Sequence, residues 1–109
     1  MTDIEAITQE LIDFRNERDW EQFHNPKDLS IALAAEAGEL LELYLWKHPQ
    51  EANPERVKEE LADVFAFAFL LAEKYGFDVK EIIREKILIN HAKYPVERSK
   101  GSAKKYNEP

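Results

Sequence analysis

Apolar residues recur along this chain with the period of an α-helix. Ile4, Ile7, Leu11 and Phe14 stand at i, i+3, i+7 and i+10, which predicts an amphipathic first helix over about residues 3–18. Thr2 or Asp3 supplies its capping oxygen. A polar connector from Asp19 to His24 follows, and its Trp20 and Phe23 are large aromatics that should pack down on something. Asn25-Pro26 reads as N-cap and first helical residue, with Asp28 in the first turn. The second helix should run to about Lys47, because Pro49 disfavours helical backbone at His48. Asn53-Pro54-Glu55 repeats the start signal, and the third helix runs to Tyr75 with Gly76 as its C′ residue. Asp78 caps a fourth helix whose apolar positions are Val79, Ile82, Ile83, Ile87 and Ile89. Pro95 ends it near Tyr94, and VERSKGSAKKYNEP forms a tail. No stretch alternates with period two. The fold class is therefore all-α: a helical domain over residues 1–95, a four-helix bundle with short connectors, and a C-terminal segment over 96–109.

The third helix carries a second message. From Leu61 to Ala72 its only charged residue is Asp63. A helix that is apolar all round is buried all round, and three neighbours cannot cover it on every side. A homo-oligomer whose interface covers this helix is expected.

The bulk numbers narrow the function classes. The chain has 109 residues, enough for one domain with a modest core. Its formal net charge of −7 speaks against a general nucleic-acid-binding surface. There is no cysteine, so neither a disulfide frame nor a thiolate zinc site is available. No apolar run reaches membrane-spanning length, and MTDIEAITQE lacks the basic and apolar regions of a signal peptide. Those two points predict a cytoplasmic protein with no membrane partner.

Four acidic residues sit where an apolar helix least accommodates them. Glu36 and Glu39 interrupt the run around EAGELLELYLW, and Glu60 and Asp63 open EELADVFAFAFLLA. Each pair is spaced i, i+3, so it shares one helix face. Ionised carboxylates among Leu, Phe and Val are costly unless something positive compensates them. Solvated helix positions explain most glutamates, Glu42, Glu59 and Glu73 among them, but Asp63 has almost no polar face to share. Two such pairs on adjacent helices make an oxygen-rich cage, which suits Mg²⁺ or Mn²⁺. Helical di-iron sites need Glu-x-x-His, and none of His24, His48 and His91 stands three after a glutamate on these helices.

The stripes extend from metal to base. Seven residues along a helix return to within about 20° and rise roughly 10 Å. Trp46 is seven after Glu39, and Phe67 is seven after Glu60. A nucleotide has about that reach, and bases stack on tryptophan at roughly 1–3 kcal/mol each. On the fourth helix Lys86, Asn90 and Lys93 share one face, which can meet phosphate oxygens. From Arg98 to Lys105 the tail carries four cations and no acid, with Gly101 and the serines as flexible backbone donors. A solvated, unstructured end is the plainer alternative for that tail.

These residues resemble the MazG-like all-α nucleoside triphosphate pyrophosphohydrolases. The signature is E-x-x-E, twenty residues, then E-x-x-D. ERDWEQFHNPKDL, EAGELLELYLW, EELADV and KYPVERSKGSAKKY further resemble the short single-domain dCTP pyrophosphatases of that superfamily, over about Ile7 to Tyr106. The resemblance implies that Glu36, Glu39, Glu60 and Asp63 bind Mg²⁺ and carry catalysis. It implies that Trp20 and Trp46 flank the base, with His24 lining that end. Lys86 and Asn90 stand at nucleotide-contacting positions, with Lys93 on the same face. The segment containing Ser99, Lys100, Lys104 and Tyr106 looks like the part that closes over phosphates. A tetramer is implied as well. One position departs: where relatives carry a tyrosine, this chain has Phe67, so base or sugar preference is expected to differ from strict dCTP use.

The reading is a Mg²⁺-dependent pyrophosphatase that converts a deoxynucleoside triphosphate to monophosphate and pyrophosphate in nucleotide-pool sanitation. Its rivals are a pyrophosphatase of different or broad nucleotide specificity, a non-catalytic helical interaction module, and a metal-storing carboxylate bundle.

Overall fold

The computed structural model describes residues 1–108, and its regular structure is helical throughout. Helix α1 spans Asp3–Glu17. It starts with a reciprocal cap: the Glu5 amide donates to the Thr2 hydroxyl and the Thr2 amide to the Glu5 carboxylate, each at 3.1 Å. Helices α2 (Pro26–Glu42) and α3 (Pro54–Tyr75) start alike. Asn25 Oδ1 accepts from the Asp28 amide and Asn53 Oδ1 from the Glu55 amide, both at 2.9 Å, and proline follows each asparagine. Gly76 ends α3 at φ +69°, a left-handed conformation that costs a residue with a Cβ roughly 1–2 kcal/mol. Helix α4 spans Val79–Lys93 behind the Asp78 cap, and α5 is one turn, Val96–Ser99.

Three expectations need correction. Helix α2 stops at Glu42 rather than Lys47. The amides of Leu43, Tyr44 and Leu45 donate to carbonyls three residues back, at 3.2, 3.0 and 3.3 Å, so the last turn tightens and leaves the α-helical path. No residue before Pro49 breaks a helix. The stop follows from the chain turning back toward α3, which packs on α2. A short 3₁₀ turn at Pro49–Glu51 completes that connection. The buried face of α1 is also rotated. Thr8, Leu11, Ile12 and Arg15 face inward, whereas Ile7 and Phe14 are about half exposed. The segment read as a tail contains α5.

The chain divides into two compact units, Met1–Gly76 and the part from Phe77 onward. In the first, α3 packs against both α1 and α2. Its buried apolar residues among those described are few: Leu29, Ala52, Leu70 and Ala72. Large apolar side chains on α3 remain open, Phe65 at 53% and Leu61 at 38%. In the second unit, Ile82, Ile83, Ile87, Leu88 and Ile89 on α4 are all exposed. Tyr106 meets the Tyr94 ring edge-on at 5.9 Å, and the Lys93 ammonium lies 4.9 Å from the Tyr106 ring centre. No helix of the described residues is long and apolar enough to cross a membrane.

Candidate metal-binding site

The register of α2 and α3 brings three of the four carboxylates together. Glu36 of α2 and Glu60 and Asp63 of α3 each offer an oxygen, and the three oxygens lie within 4.8 Å of one another. Glu36 and Glu60 are half-buried, and Asp63 is exposed. Oε2 of Glu36 and Oε2 of Glu60 are buried and accept no hydrogen bond from any donor. A buried acceptor without a donor is costly, and two of them converging make a strong demand for a cation. Oxygen donors alone, all from carboxylates, are what a hard divalent ion takes. The residues present therefore fit a metal ion.

The electrostatics agree. Burial, then the adjoining Glu39 and Glu60 carboxyls, then the charge of Glu39 and Asp63 push Glu36 up from 4.5 to about 7. Burial, with the neighbouring negative charges adding to it, thus favours a proton on Glu36 near neutrality. Glu39 stands outside the group of three, one turn along α2, and its carboxyl helps raise the Glu36 pKa.

The aromatic end divides. The His24 ring meets the Phe67 ring edge-on, with centroids 6.4 Å apart. His24 Nδ1 is buried without a partner. Burial first, then the cations of Arg15 and Lys74, hold the His24 imidazole below its usual pKa of 6.5, so it is neutral at physiological pH. Trp20 packs edge-on to Phe14 at 5.9 Å, and the Arg18 guanidinium lies over Phe14 at 3.6 Å. Trp46 does not join them. It lies beyond the end of α2 with φ +62° and is 99% exposed, so the helical stripe from Glu39 to Trp46 does not exist. The cause is the early stop at Glu42.

Lys86, Asn90 and Lys93 are exposed on α4. Ser99 is half-buried in α5, and Lys100, Lys104 and Tyr106 follow as exposed residues. An apolar groove of about 580 Å³ is lined by Tyr44, Pro49, Val57, Leu61 and Phe65 on a part of the first unit whose lining includes none of the four acids.

Sequence reasoning missed Arg15, which is 4% exposed and bridges Glu21 and Glu73 at 3.8 Å each. A signal existed: Arg15 stands four residues after Leu11, on the inward stripe.

An all-helical fold with a carboxylate trio shared by two packed helices defines a class of helical, metal-ready proteins, and similarity narrows it. The MazG-like family profile matches residues 31–108, and the chain belongs to the MazG-like family. It is 39% identical to dCTP pyrophosphatase 1 of Mus musculus, over 96% of this chain and 66% of that protein. It is 37% identical to dCTP pyrophosphatase 1 of Homo sapiens, with the same coverage. The chain thus spans about two-thirds of the length of these curated relatives. Its fold is similar to the crystal structure of a pyrophosphatase from Archaeoglobus fulgidus, with a TM-score of 0.81 and 29% identity, covering 87% of this chain and 94% of that one.

Proposed function

We propose that this protein is a Mg²⁺-dependent nucleoside triphosphate pyrophosphohydrolase that converts dCTP or a related deoxynucleotide to the monophosphate and pyrophosphate. The observation that carries this reading is the convergence of Glu36, Glu60 and Asp63 oxygens with two of them lacking any donor. The similarity to proteins named pyrophosphatases supports it.

Glu36, Glu60 and Asp63 would hold the ion, with Mn²⁺ as a substitute. When bound, the ion offsets phosphate charge and lowers the pKa of a nearby water. Glu39 is the carboxylate left outside the ligand group. Glu39, beside Glu36 on α2, would accept the proton of the attacking water. Trp20, His24 and Phe67 form the base end, with a neutral imidazole and a phenyl ring that carries no hydroxyl. Trp46, exposed on all sides, is free to stack on the base. Lys86, Asn90, Lys93, Ser99, Lys100, Lys104 and Tyr106 remain the candidate phosphate contacts. A panel of deoxy- and ribonucleoside triphosphates, with and without Mg²⁺, tests this by pyrophosphate release. The missing hydroxyl at Phe67 favours a range wider than dCTP, so several pyrimidine triphosphates should be turned over. No release from any of them at saturating Mg²⁺ refutes the enzyme reading and favours an interaction module.

The open faces of α3 and α4 support a homo-oligomer, with a tetramer favoured. Sedimentation at micromolar concentration should give a species several times the mass of one chain. Substituting Leu88, which is 70% exposed, by Asp should reduce that mass. A monomer for the unsubstituted protein overturns the assembly.

A further inference from the structure

Arg15 is the charged side chain most deeply buried among the described residues. A buried guanidinium is costly unless it is paired. Its Nη2 lies 3.8 Å from Glu21 Oε2, its Nη1 3.8 Å from Glu73 Oε2, and its Nε donates to Asn16 Oδ1 at 3.2 Å. The other Glu21 oxygen, Oε1, lies 3.3 Å from Lys74 Nζ. Glu21 is therefore gripped by two cations, one from α1 and one from α3.

The backbone repeats the grip. The Arg15 carbonyl accepts from the amides of Arg18, at 3.2 Å, and Trp20, at 3.0 Å. Between them Asp19 sits at φ +56°, in a region that L-residues avoid. Such a conformation persists where its surroundings over-determine it. The gripped Glu21 opens the turn Glu21–Phe23. Trp20 stands directly before that turn and His24 directly after it, where its ring meets Phe67. Fixing Glu21 thus fixes both residues assigned to the base.

We propose that Arg15 is a positioning residue: through Glu21 it sets Trp20 and His24 for the nucleotide base, and it touches neither the phosphates nor the metal ligands. The proposal rests on the nucleotide reading above. The same buried charge also contributes to stability, so the test needs readouts that stability does not move.

Three variants separate the roles: Arg15→Met, Arg15→Lys and Glu21→Gln, each checked for folding by circular dichroism. Glu21 is largely exposed, so Glu21→Gln keeps the test alive if Arg15→Met fails to fold. Loosening the base end should raise KM for the preferred nucleotide about tenfold in Arg15→Met, with kcat held within about twofold. The Ki of tripolyphosphate, which has phosphates and no base, should not change. Glu21→Gln should shift KM in the same direction by about threefold, the size of a partly exposed ion pair. Arg15→Lys should recover part of the loss. In a Trp46→Phe background, Trp20 fluorescence should become more accessible to acrylamide in both Arg15→Met and Glu21→Gln, with no nucleotide present.

Equal increases in nucleotide KM and tripolyphosphate Ki overturn the proposal, as does unchanged quenching of Trp20 in both variants. The quenching readout also separates the two readings. A protein that hydrolyses no nucleotide refutes the functional reading, while the acrylamide result still decides whether Arg15 orders the connector.

Discussion

Asp63→Asn should lose at least about 10³-fold in kcat, since a metal ligand is worth several kcal/mol of transition-state stabilisation and each 1.36 kcal/mol is a factor of ten. The same variant, free of metal, should melt at a higher temperature than the unsubstituted protein. Asp63 is one of the negative charges that crowd Glu36, and an amide relieves that repulsion without changing shape. Glu60→Gln should behave alike in turnover, because Glu60 supplies a buried oxygen to the same group. A scan of melting temperature with and without Mg²⁺ gives the diagnostic pair. The unsubstituted protein should gain from Mg²⁺ by mass action, and the variants should gain much less. Equal Mg²⁺ stabilisation in all three proteins, or full activity in either variant, removes the carboxylate cluster from the mechanism.

The Glu36 contribution to metal-free stability should fall as pH rises from about 4.5 to about 7, then level off. The sign follows from Glu36. Its carboxyl titrates near 7 in the folded protein against 4.5 ordinarily. Below 4.5 both states hold the proton, and above 7 neither does. Between those values the folded state holds a proton that the unfolded state has released, so raising pH favours unfolding. His24 acts with the opposite sign. Its folded pKa lies below 6.5, so acidification below that value protonates the unfolded state first and lowers stability. Comparison with Glu36→Gln isolates the glutamate, and the decline between 4.5 and 7 should disappear in that variant. Mg²⁺ needs the ionised carboxylate, so its binding below pH 7 should release close to one proton. Calorimetry in buffers of different ionisation enthalpy measures that number. A melting temperature that does not change across this window, with no proton released, contradicts the coupling.

Much of this was legible because helix ends are local chemistry. Asn25-Pro26, Asn53-Pro54, Gly76 and Asp78 each act through bonds to backbone a few residues away, so a reader of sequence meets the whole cause. The acidic residues were legible for a similar reason, since i, i+3 spacing fixes a shared face wherever the helix goes. The end of α2 was hidden because Leu43 to Trp46 contain nothing that forbids a helix; the turn belongs to the return toward α3. The inward face of α1 is hidden because Ile7 and Phe14 have the pattern of core residues, whereas Arg15 takes an inward place through Glu21 and through Glu73 of α3, a distant partner that no local pattern displays. Glu39 shares that face with Glu36, but the closest gathering of carboxylate oxygens is formed by Glu36, Glu60 and Asp63.

The paired asparagine–proline starts of α2 and α3 act as angular reference marks. Each pins its helix at a fixed residue, and each residue of helix after it advances the azimuth by about 100°. Glu36 follows Pro26 by ten residues and Glu60 follows Pro54 by six, so their meeting is a matter of counting. One residue inserted between Pro54 and Glu60 would swing Glu60 and Asp63 away from Glu36 by more than a quarter turn while leaving both helices intact. The cluster is thus written into the spacing between start signals and carboxylates as much as into the carboxylates themselves.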